Sequence, residues 1–338
     1  MTLRRRHLLT RAAAPLLTPV SVWPQASPPR WRVGVLTLTA NYERFDEWRA
    51  FADEMARRGH VAGRSVEYIH RSAATDTEPE LSKRMAQLAG ELVRLKVDLI
   101  YLAEGDLGLR AVHQAARTMP IVVDRFHLDP VDIGYVSSLS RPGGNITGNA
   151  VLGLEQEAKA IELLLQTLGP IGVVGMLEQS YQRTWTHYER LRATREAAAR
   201  KLGVVLAFRS VDRFEQLAPV LAQMRRDGVR AVKFDDPEYF VNRRADVAAA
   251  FTAQRLPAIS MEPAYARAGL LMAFGWDVED IARRSASYVD RILRGARPQD
   301  LPVEQVSKFK LAVNVRTARA IGVVVAPSIL ARADEVIE

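Results

Sequence analysis

Two short runs carry side chains that could do chemistry. "DRFHLD" places Asp124, His127 and Asp129 within six residues, enough carboxylate and imidazole to imagine a metal that activates water. "FDDP" sets Asp235 beside Asp236, a pair that can be drawn as general acid and base. Neighbouring residues of a strand point to opposite faces, however, so an adjacent pair rarely shares a site. The histidines show no H-x-x-x-H spacing and there is no G-x-S-x-G elbow. With no cysteine in the chain, thiolate nucleophiles, cysteine zinc sites and disulfides are excluded. The expectation is a protein without catalytic residues, metal or cofactor, in which these groups serve turns, caps and the surface.

The elements around those runs give them another use. "RVGVLTLT" from Arg32 is an apolar, β-branched run, followed by Phe45, Trp48, Phe51 and Met55 at helical spacing. "SVEYIH" reads as a second strand, and Leu81, Met85, Leu88, Leu92 and Leu95 then form one buried helical stripe. "VDLIYLAE", a helix around Leu109 to Ala116, and "MPIVVD" complete the first series. The order repeats with "IGVVGMLEQS", "VVLAFRS", "VRAVKFDDP" and "LPAISMEP", separated by helices, the last of them from about Glu238 to Gln254. Nearly continuous apolar strands between amphipathic helices imply parallel sheets covered on both faces. The predicted fold class is therefore α/β, with two Rossmann-like parallel-sheet lobes joined by a hinge of several crossings.

Ligands of open parallel sheets bind outside the carboxyl ends of the strands. By that rule the candidate ligand-binding residues are Thr37, Thr39, Tyr42, Glu104, Asp106 and Phe126 in the first lobe. Gln179, Tyr181, Asp236, Glu262 and Trp276 answer them from the second. Tyr42, Phe126, Tyr181 and Trp276 offer rings on which a flat ligand could stack, with Trp276 alternatively covering the hinge. Phe45 and Trp48 lie on a helical stripe and are read as core.

"SLSRPGGNITGNAVLG" separates the two series; Gly143, Gly144 and Gly148 with Pro142 suit a passage between lobes that absorbs a change of angle. After the second series, "GLLMAFGWDVEDIARRSASYVDRILRG" runs from a strand into a helix with Asp277 as its N-cap. "KFKLAVNVRTARAIG" gives another strand and short helix, and "SILARADEVIE" reads as a terminal helix capped by Ser328. This tail is too short for a third domain and is expected to thread back through the first two. The predicted first lobe is 31–147 plus about 275–300, and the second 150–273 plus about 308–338. The predicted hinge lies near 141–151, 272–276 and 301–310.

Composition is that of a globular protein, with 48% hydrophobic and 25% charged residues over 338, and the body lacks the run of about 18 apolar residues that a membrane span needs. Residues 1–26 open with Arg4, Arg5 and Arg6, pass into a short apolar run and offer Ala26 for cleavage. That order predicts an export signal, and the Arg5–Arg6 pair fits its twin-arginine variant. The segment holds four arginines and no acid, so removing it takes the net charge from +8 to +8 − 4 = +4, too mild to argue for nucleic acid.

"PIVVDRFHLDPVDIGYVSSLSRPGGNITG", "LPAISMEPAYARAGLLMAFG" and "ASYVDRILRGARPQDLPVEQVSKFKLAVNVRTARAIGV" resemble successive signatures of ABC transporter substrate-binding proteins related to tryptophan- and tyrosine-binding components. The similarity spans residues 31 to 338 in matching order. It implies a type I periplasmic binding fold, a small-molecule ligand in the interlobe cleft, closure about the hinge, and delivery to an ABC permease with its ATPase subunit. The implied protein is periplasmic, soluble and monomeric. Where relatives read something like "GTPAA", this chain has "EGDLG". Asp106 there fits an N-cap better than a ligand contact. If Glu104 or Asp106 faces the cleft together with Asp236, the ligand presents an amine or hydroxyls. The alternatives are a ligand sensor for a signalling partner and, less favoured, a metal-dependent enzyme.

Overall fold

In this computed structural model the described residues are 31–74, 78–103, 108–151, 154–184, 188–234 and 238–338. In the first half of the chain lie β1 (Trp31–Thr37), β2 (Val66–Ser72), β3 (Leu99–Ala103), β4 (Ile121–Phe126) and β5 (Ile146–Ala150). Next come β6 (Val173–Glu178), β7 (Val205–Ser210), β8 (Ala231–Phe234), β9 (Ala258–Ser260) and β10 (Met272–Trp276). The tail adds β11 (Glu304–Gln305), β12 (Phe309–Asn314) and β13 (Glu335–Ile337). They form a six-stranded sheet ordered β11-β5-β4-β3-β1-β2 and a seven-stranded sheet ordered β13-β12-β10-β9-β8-β6-β7. These are two parallel-sheet α/β lobes, the fold class expected from the alternating pattern.

Alternation along β1 shows how the first core is made. Val33 and Val35 face one layer with Phe51, Met55 and Tyr101, while Leu36 faces the other with Leu81, Met85, Leu88 and Leu92. The predicted leucine stripe is therefore buried, with Leu95 packed partly against it. Each large apolar side chain so buried contributes about 1.5–3 kcal/mol. Trp48 and Phe45 border the same core half-buried, and the Phe51 and Tyr101 rings stack 4.3 Å apart.

The tail does thread back. After β10 the helix Val278–Leu293 packs Ala282, Ala286, Tyr288 and Val289 into the first lobe's core beside the helix Asp46–Arg57. Asp277 caps it as predicted, its Oδ1 accepting from Asp280 N at 3.1 Å. The chain thus passes between the sheets three times: after β5, after β10, and between β11 and β12. Val151, Ile281 and Val306, one from each passage, form a small buried cluster that Trp276 flanks.

Four expectations are corrected. β12 runs antiparallel to β10, because the chain re-enters the second sheet from the first lobe and so from the opposite direction. The end of the chain is a short helix, Pro327–Leu330, and then β13, which lies on the sheet edge beside β12; it is not one capped terminal helix. Asp334 Oδ2 accepts from Leu311 N at 2.8 Å and leads the chain into that strand. The segment from Glu238 is a 3-10 stretch, Glu238–Arg243, ahead of the helix Arg244–Ala253. Finally, the glycine-rich passage sits before β5 and is tied to the first lobe, Gly143 N donating to Gln299 O; the crossing comes only after Ala150.

Gly148 has a different duty from the flexibility its sequence suggests. A Cβ there would come within 2.0 Å of Val123 O on β4. Gly275 on β10 is the counterpart in the second lobe, where a Cβ would lie 1.4 Å from Met261 O. Both strands that lead to crossings are thus held against a neighbouring backbone too closely for any side chain.

Candidate functional site

Residues that end or follow strands of the two sheets come into contact with one another. On the first lobe, Thr37 and Thr39 are buried, and Thr37 Oγ1 donates to Thr39 O at 2.9 Å. Asp124, in β4, accepts from Tyr101 Oη at 2.7 Å and from Ser285 Oγ at 2.9 Å. Asn149 Nδ2 donates to Asp124 O and to Ser285 Oγ, both at 3.0 Å. This network joins three strands to the helix that returns after β10. Burial pushes the Asp124 carboxyl above the usual aspartate range, against the pull of Arg125 and its two hydroxyl donors.

Arg125 follows at once and reaches across. Its Nη1 lies 3.5 Å from Asp124 Oδ2, and its Nη2 lies 3.6 Å from Glu262 Oε1 of the second lobe. Glu262 also accepts from Arg244 Nη2 at 3.0 Å and is itself buried. Burial opposes ionisation of Glu262, but Arg244 and Arg125 outweigh it and hold this carboxyl below the ordinary glutamate range. Glu47 faces the same group and is pushed the other way, by burial and by the charge of Glu262. Arg244 lies over the ring of Phe45 at 5.4 Å, and Ala40 N donates to Asn242 Oδ1 at 3.0 Å. Beside these contacts a cavity of about 440 Å³ opens between the lobes, lined by Ala40, Asn41, Arg44, Phe45, Val241 and Asn242.

From the second lobe Gln179 arrives buried at the end of β6. Its Oε1 accepts from Gln182 Nε2 at 2.8 Å, whereas its own Nε2 is buried with no partner among the described residues. Ser260 Oγ accepts from Glu262 N at 2.9 Å and fixes the turn that presents the carboxylate.

The predicted residues divide accordingly. Thr37, Thr39, Gln179 and Glu262 stand buried at strand ends. Phe126, fully buried in the first core, offers no face for stacking, because the bulge between Val123 and Phe126 turns it inward. Tyr42 packs into the first core against Phe45. Trp276 covers the crossings, its ring 5.7 Å from that of His127 and its Nε1 buried with no partner among the described residues. Tyr181 belongs to the 3-10 turn Ser180–Thr184. Glu104, Asp106 and Asp236 lie outside the described residues. Sequence reasoning missed Glu47, Asn242 and Arg244, which come from helices and turns rather than from strand ends.

The imagined metal triad is not assembled. Asp129 Oδ1 accepts from Val131 N at 2.8 Å as a turn residue, and Asp124 is taken up by the network above. Among the described residues no group of three or more such side chains could hold a metal ion, and no helix is long and apolar enough to cross a membrane.

Comparison with known proteins agrees with the geometry. A tyrosine-binding protein of Clostridioides difficile is 22% identical over 275 residues, which is 81% of this chain and 75% of that protein. The structure of an ABC domain in complex with L-Trp from Streptococcus pneumonia superposes with a TM-score of 0.79 at 20% identity, covering 91% of this chain and 100% of the other. A ligand-free, open substrate-binding protein with adhesive properties from Clostridium difficile gives 0.65 at 18% identity, covering 91% and 99%. Residues 33–337 match the family described as ABC transporter substrate binding protein, and by that match, over two α/β lobes of the same design, the chain belongs to that family.

Proposed function

We propose that the protein is an extracytoplasmic solute-binding protein of an ABC importer, one that takes an amino acid or small aromatic solute between its lobes and delivers it to a permease driven by an ATPase subunit. The observation that carries this reading is the burial of polar side chains at the facing strand ends: Thr37, Thr39 and Arg125 on one lobe, Gln179, Ser260 and Glu262 on the other. A buried donor without an acceptor is costly, and among the described residues Gln179 Nε2 has none. A ligand carboxylate or carbonyl supplies the missing acceptor. The tyrosine-binding relative and the L-Trp complex favour an amino acid. The three crossings serve as the hinge, the first residues direct export to the periplasm, and the protein works as a monomer.

Native mass spectrometry of the freshly purified protein, followed by calorimetry with L-tyrosine and L-tryptophan, tests the reading. A retained or titrated one-to-one ligand is expected, with weaker binding by Gln179→Leu. Failure to retain or bind any amino acid or small aromatic acid overturns it.

A further inference from the structure

Buried charges seldom meet across a movable gap without purpose. Glu262 sits between two guanidinium groups that come from different bodies: Arg244 belongs to its own lobe and Arg125 to the opposite one. The pair Arg125–Glu262 is therefore the part of the cluster that must break when the lobes separate. β4 and β9, which present the two residues, each lie one strand in from the strands that carry the crossings. Separation on opening grows with distance from the crossings, so this contact parts less than the outer one between Ala40 and Asn242. It is also desolvated, which keeps its attraction strong and little affected by salt.

The groups around Glu262 fix the direction of the effect. Glu47 comes from the helix Asp46–Arg57, Asp124 and His127 from β4 and its end, and Arg244 from the helix Arg244–Ala253. Removing the Glu262 charge leaves Arg125 and Arg244 close together on opposite lobes, where they repel. Removing the Arg125 charge instead leaves Glu262 neutralised by Arg244 within one lobe.

We infer that Glu262 is a positioning residue for lobe closure: its carboxylate, shared between Arg244 and Arg125, draws the two lobes together before any ligand is bound. The inference rests on the hinge reading above and does not depend on which solute binds.

The experiment is small-angle scattering of the ligand-free full chain and its Glu262→Gln, Glu262→Asp and Arg125→Gln variants, with near-ultraviolet circular dichroism to confirm that each is folded. A larger radius of gyration is expected for Glu262→Gln, corresponding to a shift of the open-to-closed ratio on the order of a hundredfold. Arg125→Gln should expand less, and Glu262→Asp should restore most of the wild-type profile. A folded Glu262→Gln that scatters as the wild type does overturns the inference. So does a set in which both charge-removing variants expand only as they lose their near-ultraviolet signal, since the pair then serves folding alone. In a separate arm L-tyrosine is added to the wild type: absence of compaction there, with the ligand-free differences intact, counts against the binding reading and leaves the positioning role standing.

Discussion

Glu262 and Glu47 share an environment and are driven in opposite directions, which makes acid titration informative at the level of single residues. Glu262 is held below the ordinary glutamate value of 4.5, so its contribution to stability is present above that value and is lost as pH falls through its lower folded value. Glu47 is held above 4.5, so it costs stability at neutral pH and that cost is relieved as pH falls through its raised value. The thermal midpoint is therefore expected to hold or rise on mild acidification and to fall below about pH 4.5. Glu47→Gln should diminish the rise, to which the raised Asp124 carboxyl also contributes, and a midpoint that falls steadily from neutral pH would contradict the assignment. Asp124 provides a second test. Ser285→Ala removes one of its buried donors and should destabilise the protein by about 1–3 kcal/mol in urea denaturation; no change would mean that the network is idle.

At the scale of elements, the crossing strands are fixed by close backbone contact rather than by flexible chain. Gly275 shows this best, since the atom that a Cβ would strike is the Met261 carbonyl oxygen and not the movable end of a side chain. Gly275→Ala must push β10 away from the Met261 turn, which leads straight to Glu262. The expected outcome is a loss of at least about 1–3 kcal/mol, larger than for Gly203→Ala, where nothing lies within 4 Å of the added atom. Gly203 carries a positive φ and Gly275 does not, so a loss at Gly275 no larger than that at Gly203, measured by thermal unfolding, would contradict the backbone contact. The apolar cluster of Val151, Ile281 and Val306 under Trp276 gives the crossings a common packed base.

For the whole molecule, a ligand that bridges the lobes stabilises the closed form and with it the fold. At a hundredfold excess over Kd this amounts to about 2.7 kcal/mol, so the ligand that belongs in the cleft should raise the thermal midpoint by several degrees. Among amino acids, L-tyrosine and L-tryptophan are expected to do so and acidic ones not, because Glu262 already occupies Arg125 and Arg244. A screen in which aspartate or glutamate gives the largest shift would reverse that expectation.

Strand and helix order, the two-lobed plan, the Asp277 cap and the returning tail were all legible along the chain, because each follows from local periodicity and turn chemistry. The residues at strand ends were legible for the same reason, since a parallel sheet directs those ends to one side. The antiparallel placement of β12, the inward turn of Phe126 and the edge strand at the chain end were not, for they depend on which direction the chain returns from and on what is left to pair. Nor does spacing reveal that Arg125 meets Glu262, residues 137 positions apart on different lobes, or that Glu47 and Arg244 join them. The sequence by itself determined two sheets with polar ends; only the tertiary structure decided which charges face one another, because that depends on how two independently packed bodies are brought together at the crossings.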